Sequence, residues 1–593
     1  MIPSYFIQLD QMPVTMNGKV DRNRLPEPTL LNYDTEVPID LPENEIQEIL
    51  VHVWSEVLGV EKVGISNNYY SLGGDSIKAI QISAKLREHN LKVSIRDLLQ
   101  HQTIKELSPY VANSLNEVNQ DIVSGEVKLT PIQKAFFENQ YSHKDYYNQS
   151  IMLFRQKGFH AFYIEKAFQA ITKHHDALRM VFREESGNVI QVNRGEESEG
   201  FHIHIFDVEN EDYESFIRSK VKEIQSSINL ETGPLVKVGL FKTKAGDHLL
   251  IVIHHLVIDG VSWRILLEDF HMAYRQLLCG EEISLPAKTD SFKEWAENLY
   301  QYANSAQLKS QLSYWRNIEK QGLSLFTQGA KGIGKRLRKD YATIHVCLDE
   351  EYTDKLLKET NHTYNTEIND ILLTALAKSM KCCMESGKVL IHLEGHGREE
   401  IHEHVDVSRT IGWFTSKYPV LLDIEDCHDV SSEIKNVKET LRRVPLKGIG
   451  YSILRYITSP LRGDHETVLT LDPDICFNYL GQFDQDDKSD EFVSSSIDTG
   501  ENSSEENDIA YAISIAGMIQ QDRLFITFTY HTKEFCRETI DVFSRSYLES
   551  IHEVIEHCLS KQEREYTPSD FDDETLSVPE LDYLNEMLSE IEL

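Results

Sequence analysis

Leu249-Leu250-Ile251-Val252-Ile253-His254-His255-Leu256-Val257-Ile258-Asp259-Gly260 is the stretch that decides how this chain folds. Its five apolar residues form a short continuous run of the length expected for a buried strand. Asp259-Gly260 turns the chain, and an amphipathic pattern, Trp263–Leu278, follows from about Ser262. Buried strand, turn and helix are the building unit of a mixed α/β domain. The alternation recurs outward in both directions. Val389–Leu393 and Leu524–Tyr530 read as strands, Ile368–Met380 as a helix. Residues 127–565 are therefore expected to form one large α/β unit.

The decisive strand also carries chemistry. It ends in His254-His255, and histidine is the side chain best poised for proton transfer near neutral pH. A strand end before a turn is a natural place from which to aim an imidazole into a cleft. The same residues also suit a pair of core histidines held by Asp259. A metal centre is not expected, because no H-E-x-x-H spacing or cysteine cluster accompanies the pair. Val389–Arg398 repeats the design, with a short apolar strand delivering Glu394 into Gly395-His396-Gly397-Arg398. Glu394 is either a loop carboxylate paired with Arg398 or a second acid/base group. In the second role its pKa should rise from about 4.3 toward the working pH through partial burial.

Residues 41–114 read as a bundle of about four short helices. Ile46, Ile49, Leu50, Val53 and Val57 recur at helical spacing and Gly59 stops the pattern. A second helix starts at Ser76 with Ile77, Ile80 and Ala84 on one face. Shorter patterns lie near Leu98 and at Ile104–Leu107. In Tyr70-Ser71-Leu72-Gly73-Gly74-Asp75-Ser76-Ile77 a serine follows a Gly-Gly turn at a helix start. That suits a plain N-cap, or a hydroxyl presented where unpaired N–H groups favour a phosphate.

The full chain has 593 residues, 96 acidic and 60 basic, for a formal charge of −36. Its length predicts three to five domains or lobes, and 40% apolar residues suffice for several cores. The negative charge excludes a nucleic-acid or anionic-membrane surface. No apolar run is long enough for a bilayer, and Met1–Asp10 lacks the pattern of a secretory signal. None of the eight cysteines lies in a C-x-x-C pair, so a reducing cytoplasm is expected. Prolines 3, 13, 26 and 28 around Asn17-Gly18 make residues 1–35 the end of some other domain. Residues 115–126 read as a polar linker, and Asp484–Asp508 as an acidic mobile surface loop. Residues 566–593 form an acidic segment in which Leu584, Met587, Leu588 and Ile591 line one helical face.

Several of these motifs resemble those of nonribosomal peptide synthetases. Leu72–Ile77 matches the Gly-Gly-Asp-Ser motif of peptidyl carrier proteins, which implies a 4′-phosphopantetheine arm on Ser76, with Gly74 and Asp75 beside it. Asp75 resembles the variant found in carriers that feed epimerization domains. Pro13–Arg22 resembles the last motif of adenylation domains, with Lys19 at the position that touches the adenylate. No ATP-binding part is present in the sequence. Lys19 is therefore expected to be an orphan, and the chain to be a fragment that does not activate amino acids. His254–Gly260 is similar to the motif of the condensation superfamily, which has a two-lobed chloramphenicol-acetyltransferase-like fold, here expected as lobes 127–305 and 306–565. Glu394–Glu399, Arg409–Thr415, Pro445–Tyr451 and Phe477–Gln482 resemble its epimerization branch. Ala135 departs from the family, which has a bulky tryptophan there. The overall pattern is similar to initiation modules of the gramicidin S and tyrocidine synthetase type.

That resemblance implies inversion at Cα of an L-aminoacyl thioester carried on Ser76, in peptide-antibiotic synthesis. His255 and Glu394 are the expected acid/base pair, in an order left open. Backbone N–H groups near Gly260, or His254, Asn478 and Tyr479, are candidates to stabilise the developing oxyanion. Asp259 is expected to orient the loop or to pair with an arginine, and His396 and Arg398 are supporting residues. No metal or free cofactor is implied. The implied partners are the carrier-bound thioester, a phosphopantetheinyl transferase, an upstream adenylation domain and a downstream synthetase docking on residues 566–593. An amide-forming condensation domain and an inactive docking scaffold are the competing readings.

Overall fold

In the computed structural model, residues 40–113 and 118–571 are described, apart from 140, 197, 209–211, 322–333, 385, 403, 459–468, 483–491 and 562. Residues 578, 580, 581 and 583 are described as well. The proposed adenylation remnant, residues 1–35 with Lys19, lies outside these residues, as do residues 115–117 of the linker and most of the C-terminal acidic segment.

The N-terminal unit contains helices α1 (Glu45–Leu58), α2 (Ser76–Glu88), α3 (Ile95–Gln100) and α4 (Ile104–Leu107). Gly59 ends α1 in the left-handed region, at φ 71°, where glycine carries no steric penalty. The apolar stripe of α2 divides in a way the sequence reading did not foresee. Ala79, Ile82 and Leu86 fill the unit's own core together with Leu50, Val53 and Trp54. Ile77 and Ile80, read as part of the bundle face, instead pack into the core of the large domain. A helix apolar on two faces is buried on two sides.

The large domain holds two main sheets. Strands β1 (Asn148–Arg155), β2 (His202–Asp207), β3 (Val236–Thr243) and β4 (Gly246–His254) belong to the first. The second contains β5 (Tyr341–Cys347), β6 (Lys388–Gly395), β7 (Ser416–Asp423) and β8 (Ile475–Gln482). Next comes β9 (Val493–Ser494), followed by β10 (Ile513–Gln520) and β11 (Arg523–His531). The first sheet runs β9-β1-β4-β3-β2 and the second β5-β11-β10-β8-β6-β7. All nine residues of β4 are buried, as its unbroken apolar run requires. The helix Gly260–Leu278 follows it, and Ile368–Met384 and Arg537–Ser560 pack together behind the second sheet.

Three boundaries differ from the sequence reading. Gly125 and Glu126, placed at the end of the linker, are already part of a strand of the large domain, Gly125–Val127, paired with Asn188–Asn193. The described part of the acidic segment, residues 492–508, is largely exposed but is tied down rather than free. It crosses from the second lobe to the first, where β9 extends the sheet at β1 and Phe492 is buried. Gln225 donates there to the Asn502 side chain at 2.9 Å and to the Thr499 carbonyl at 3.1 Å. Its acidic residues are mostly exposed, as expected; the anchoring strand is short and its anchoring groups are amides. Residues 566–571 likewise belong to the second lobe. Asp570 receives the buried Lys438 ammonium at 2.6 Å and an Asn365 N–H at 2.7 Å.

Candidate functional site

The site lies where β4 of the first lobe and the ends of β6, β7 and β8 of the second converge. His255 is the residue after β4. Its Nδ1 is 2.7 Å from the Ile258 carbonyl, which only an N–H can satisfy, so Nε2 holds the lone pair of the neutral ring. Gln149 confirms that tautomer. Its Oε1 accepts the Trp263 indole N–H at 2.7 Å, which turns its Nε2 donor toward His255 Nε2 at 3.1 Å. Trp413 stacks on the imidazole at 4.3 Å and Tyr147 lies on it at 5.7 Å. Burial pushes the imidazole below its ordinary pKa, against the opposing pull of the Ile258 carbonyl and of Asp259 and Glu394.

Glu394 stands near the end of β6, and the antiparallel register puts Lys417 of β7 directly opposite. The Lys417 ammonium meets Glu394 Oε1 at 2.8 Å, and Asn478 on β8 donates to Oε2 at 2.8 Å. Burial alone would push this carboxyl up. The Lys417 charge and hydrogen bond, helped by His255 and Cys476, outweigh it and hold the group below the usual range. The expectation of a raised Glu394 pKa is thus corrected, and so is the alternative pairing with Arg398. Lys417 is the residue sequence reasoning missed. Its role comes from the strand register, which the sequence alone does not display.

The supporting residues separate by task. Asp259 caps the Gly260–Leu278 helix by accepting from Ser262 N at 2.8 Å and also accepts from Phe414 N at 3.0 Å. Arg398 is buried. It donates to Asp259 at 3.3 Å, to Ser262 Oγ at 2.9 Å and to the Val407 and Thr410 carbonyls at 2.6 and 2.8 Å. These bonds tie the two lobes together and set His255 against Trp413. His254 does not suit an oxyanion role. Its Nε2 is engaged by the Lys144 carbonyl at 2.8 Å and its Nδ1 by Leu256 N at 3.2 Å. Burial holds it neutral, with its pKa pushed down to about 3. His396 is also held at about 3 by burial and by Lys447 and Arg398, and its Nδ1 accepts from Arg398 N at 3.0 Å. Asn478 is committed to Glu394 rather than open to a substrate oxyanion. Gly260 opens its helix with no atom near the place a Cβ would take. Gly397, at φ 68°, is obligatory, since a Cβ there would meet Phe414 O at 1.8 Å.

Among the described residues, His174, His175 and Asp269 also gather their ligand-type atoms within 4.8 Å of one another. The Asp269 carboxylate is already taken by His175 at 2.7 Å and Arg409 at 2.5 Å, which makes an ion-pair network of the group.

Ser76 faces this domain from the helical unit. Asp75, not Ser76, is the N-cap of α2; its carboxylate accepts from Ile77 N and Lys78 N. Ser76 is thereby left as the first helical residue. Gly73 takes φ 82°, and Gly74 lies so close to Tyr69 that a Cβ would sit 2.5 Å from the ring. The unit is docked across both lobes, with Lys85 4.0 Å from Glu268 of the first. On the second, Arg87 pairs with Asp406 at 2.5 Å, Ser71 meets His362 at 2.6 Å and Lys78 donates to Gln482 at 3.0 Å. Gly481 on β8 also lies against the unit. A Cβ there would lie 3.0 Å from Ile77 and 3.4 Å from the Asp75 carboxylate.

Residues 123–577 match the family model described as the condensation domain. The chain belongs to the condensation-domain family. Residues 48–111 match the phosphopantetheine attachment site family, so this condensation-family chain also carries a 4′-phosphopantetheine carrier domain. Gramicidin S synthase 1 of Brevibacillus brevis is 45% identical across all of this chain, which covers 54% of that protein. Tyrocidine synthase 2 of Brevibacillus parabrevis is 45% identical over 99% of this chain and 16% of its own length. The chain thus spans about half, or less, of the curated relatives it matches. The crystal structure of the epimerization domain from the third module of tyrocidine synthetase B superposes with a TM-score of 0.70. It is 45% identical and covers 75% of this chain and 100% of that one. A condensation domain from a monacolin K polyketide synthase shares the fold at 14% identity, with a TM-score of 0.58 over 74% of this chain and 98% of that one. The architecture is accordingly a carrier bundle followed by a two-lobed, chloramphenicol-acetyltransferase-like α/β domain.

The residues at the junction fit the carrier's prosthetic arm. Tyr479 Oη and Gln482 Nε2 are buried without a hydrogen-bond partner, and the Asp75 carboxylate acts on the Tyr479 phenol from nearby. Two orphaned polar atoms on β8 beside the start of α2 offer partners to a polar chain leaving Ser76. Tyr479 is therefore placed near Asp75 at the start of α2.

Proposed function

We propose that this chain inverts the Cα centre of an L-aminoacyl group held as a thioester on the phosphopantetheine arm of Ser76, giving an L/D mixture. The observation that carries this reading is the placement of two acid/base groups from opposite lobes at one junction: His255 follows β4 and stacks on Trp413 of the second lobe at 4.3 Å, and Glu394 stands near the end of β6. A thioester carbonyl acidifies the neighbouring Cα–H. One of the two residues takes that proton while the other, protonated, delivers one to the opposite face. A pair holding a single proton thus ends the step still holding one, and the carbon is inverted. Arg398 and Asp259 keep the lobes, and so the two groups, in register. Stacked Trp413 and Tyr147 keep water from the imidazole. The 45% identity to a solved epimerization domain supports this reading over amide formation, which needs no carboxylate opposite the histidine.

The partners follow from the same reading. They are a phosphopantetheinyl transferase for Ser76, an upstream adenylation activity to load it, and a downstream synthetase engaged by the acidic residues after 571. The test is to load Ser76 with an L-aminoacyl-pantetheine in D2O and analyse the released amino acid. Deuterium at Cα is expected. Glu394→Gln and His255→Ala should each suppress it. Unlabelled, purely L product from a fully loaded chain would sink the proposal.

A further inference from the structure

The proton-transfer pair leaves one strong charge unused. Lys417 lies opposite Glu394 in the β6–β7 register and reaches Oε1 at 2.8 Å, while Asn478 holds Oε2. It is half-buried, and its ammonium lies 5.5 Å above the Tyr511 ring. The titratable groups acting on this pair include His255 from the end of β4, Tyr147 and Tyr141 from before β1, His392 on β6, Tyr456, Cys476 on β8 and Tyr511 before β10. Burial drives the phenols and the thiol upward and the His392 imidazole down to about 3, so they stay neutral. With His255 neutral, the only charges in this group are Lys417 and Glu394.

A pair that holds one proton has two arrangements. The proton can sit on Glu394 beside a neutral His255, or on His255 beside an ionised Glu394. A cation in direct contact with the carboxylate, and farther from the imidazole, favours the second. We propose that Lys417 is a positioning residue which, with Asn478, keeps Glu394 as the carboxylate that takes the Cα proton from its face, leaving His255 Nε2–H to deliver on the other. The C–H bond on the Glu394 face breaks, a new one forms on the His255 face, and one proton passes in net from His255 to Glu394. The neutral ring hydrogen-bonded to Gln149 is the pair before that proton arrives from solvent. This inference rests on the epimerization reading.

The test is the pH dependence of Cα deuterium exchange in the fully loaded chain and in its Lys417→Met, Lys417→Gln and Lys417→Arg variants. In the unsubstituted chain the acidic limb should lie below the ordinary glutamate value of about 4.3. With Met or Gln the limb should move up by at least about one pH unit. On that limb exchange should then fall by up to about tenfold relative to the unsubstituted chain at the same pH, while Arg keeps the original profile. An acidic limb unmoved in both neutral variants overturns the inference, as does a loss of equal size at every pH, which is what a merely structural lysine would give. Absence of exchange in the unsubstituted chain at every pH overturns the epimerization reading and this inference together. Normal exchange there with unmoved limbs in the variants overturns this inference alone.

Discussion

Ile80→Ala separates docking of the carrier from its folding. Ile80 is 1% exposed, yet its neighbours belong to the large domain, while Leu50, Trp54, Ala79, Ile82 and Leu86 make the carrier's own core. Truncating a fully buried isoleucine to alanine costs about 2–5 kcal/mol. A junction between two units can readmit water, so the lower figure, about 2 kcal/mol, applies to the docked state. At about 1.4 kcal/mol per decade this is a factor of roughly 30 in the docked-to-undocked ratio. The transferase that modifies Ser76 needs only the folded carrier, so loading measured by intact mass should be complete. Single-turnover Cα exchange at equal loading should then fall by as much as about 30-fold. Exchange within twofold of the unsubstituted chain would refute the assignment of Ile80 to the junction. Failure to load would place Ile80 in the carrier's core instead.

Charge exchange across the same junction gives a second check. Arg87→Asp should slow exchange and Asp406→Arg should do likewise, whereas the double variant should recover part of the rate, a coupling readable as a double-mutant cycle. Gly397→Ala drives a Cβ into the Phe414 carbonyl and should lower the melting temperature by several degrees, with a cost of about 2 kcal/mol or more. Asp570→Ala leaves the buried Lys438 ammonium without its carboxylate and should destabilise the chain by about 3–5 kcal/mol in chemical unfolding. Burial pushes the Glu565 carboxyl up, but the bonds from Lys561 and Lys435 outweigh it and hold its pKa at about 2. A depressed carboxylate adds stability that is present above its unfolded value and lost as pH falls toward the folded one. Acid unfolding should therefore steepen between about pH 4.3 and pH 2, and Glu565→Gln should flatten that window.

The strands and helices were legible because burial writes its period into the sequence. Leu249–Ile253 lies within β4, and the Trp263–Leu278 pattern lies within the helix observed there. His255 and Glu394 were legible because each ends such a strand. Lys417 was not, since its meaning depends on the β6–β7 register, and pairing partners 23 residues apart leave no local pattern. At residues 492–508 composition shows the exposure but not the anchoring. A run of acids and serines is mostly exposed, but strand pairing and the amides of Gln225 and Asn502 pin it to the first lobe. The two faces of α2 were visible as residues, but only the packing shows which face belongs to which unit. His254 and His255 look equivalent in sequence. They differ because the hydrogen bonds of the first are all internal, whereas the second turns Nε2 toward Gln149 between the lobes.

The central claim is inversion at Cα by the His255–Glu394 pair, and approach to equilibrium from both sides tests it most directly. One sample is loaded on Ser76 with the L-aminoacyl group and another with the D-aminoacyl group, and the released amino acid is resolved by chirality over time. The account predicts that both converge on the same L/D ratio, and that Glu394→Gln and His255→Ala leave each sample near its starting isomer. Retention of configuration in both unsubstituted samples, at full loading, would contradict it.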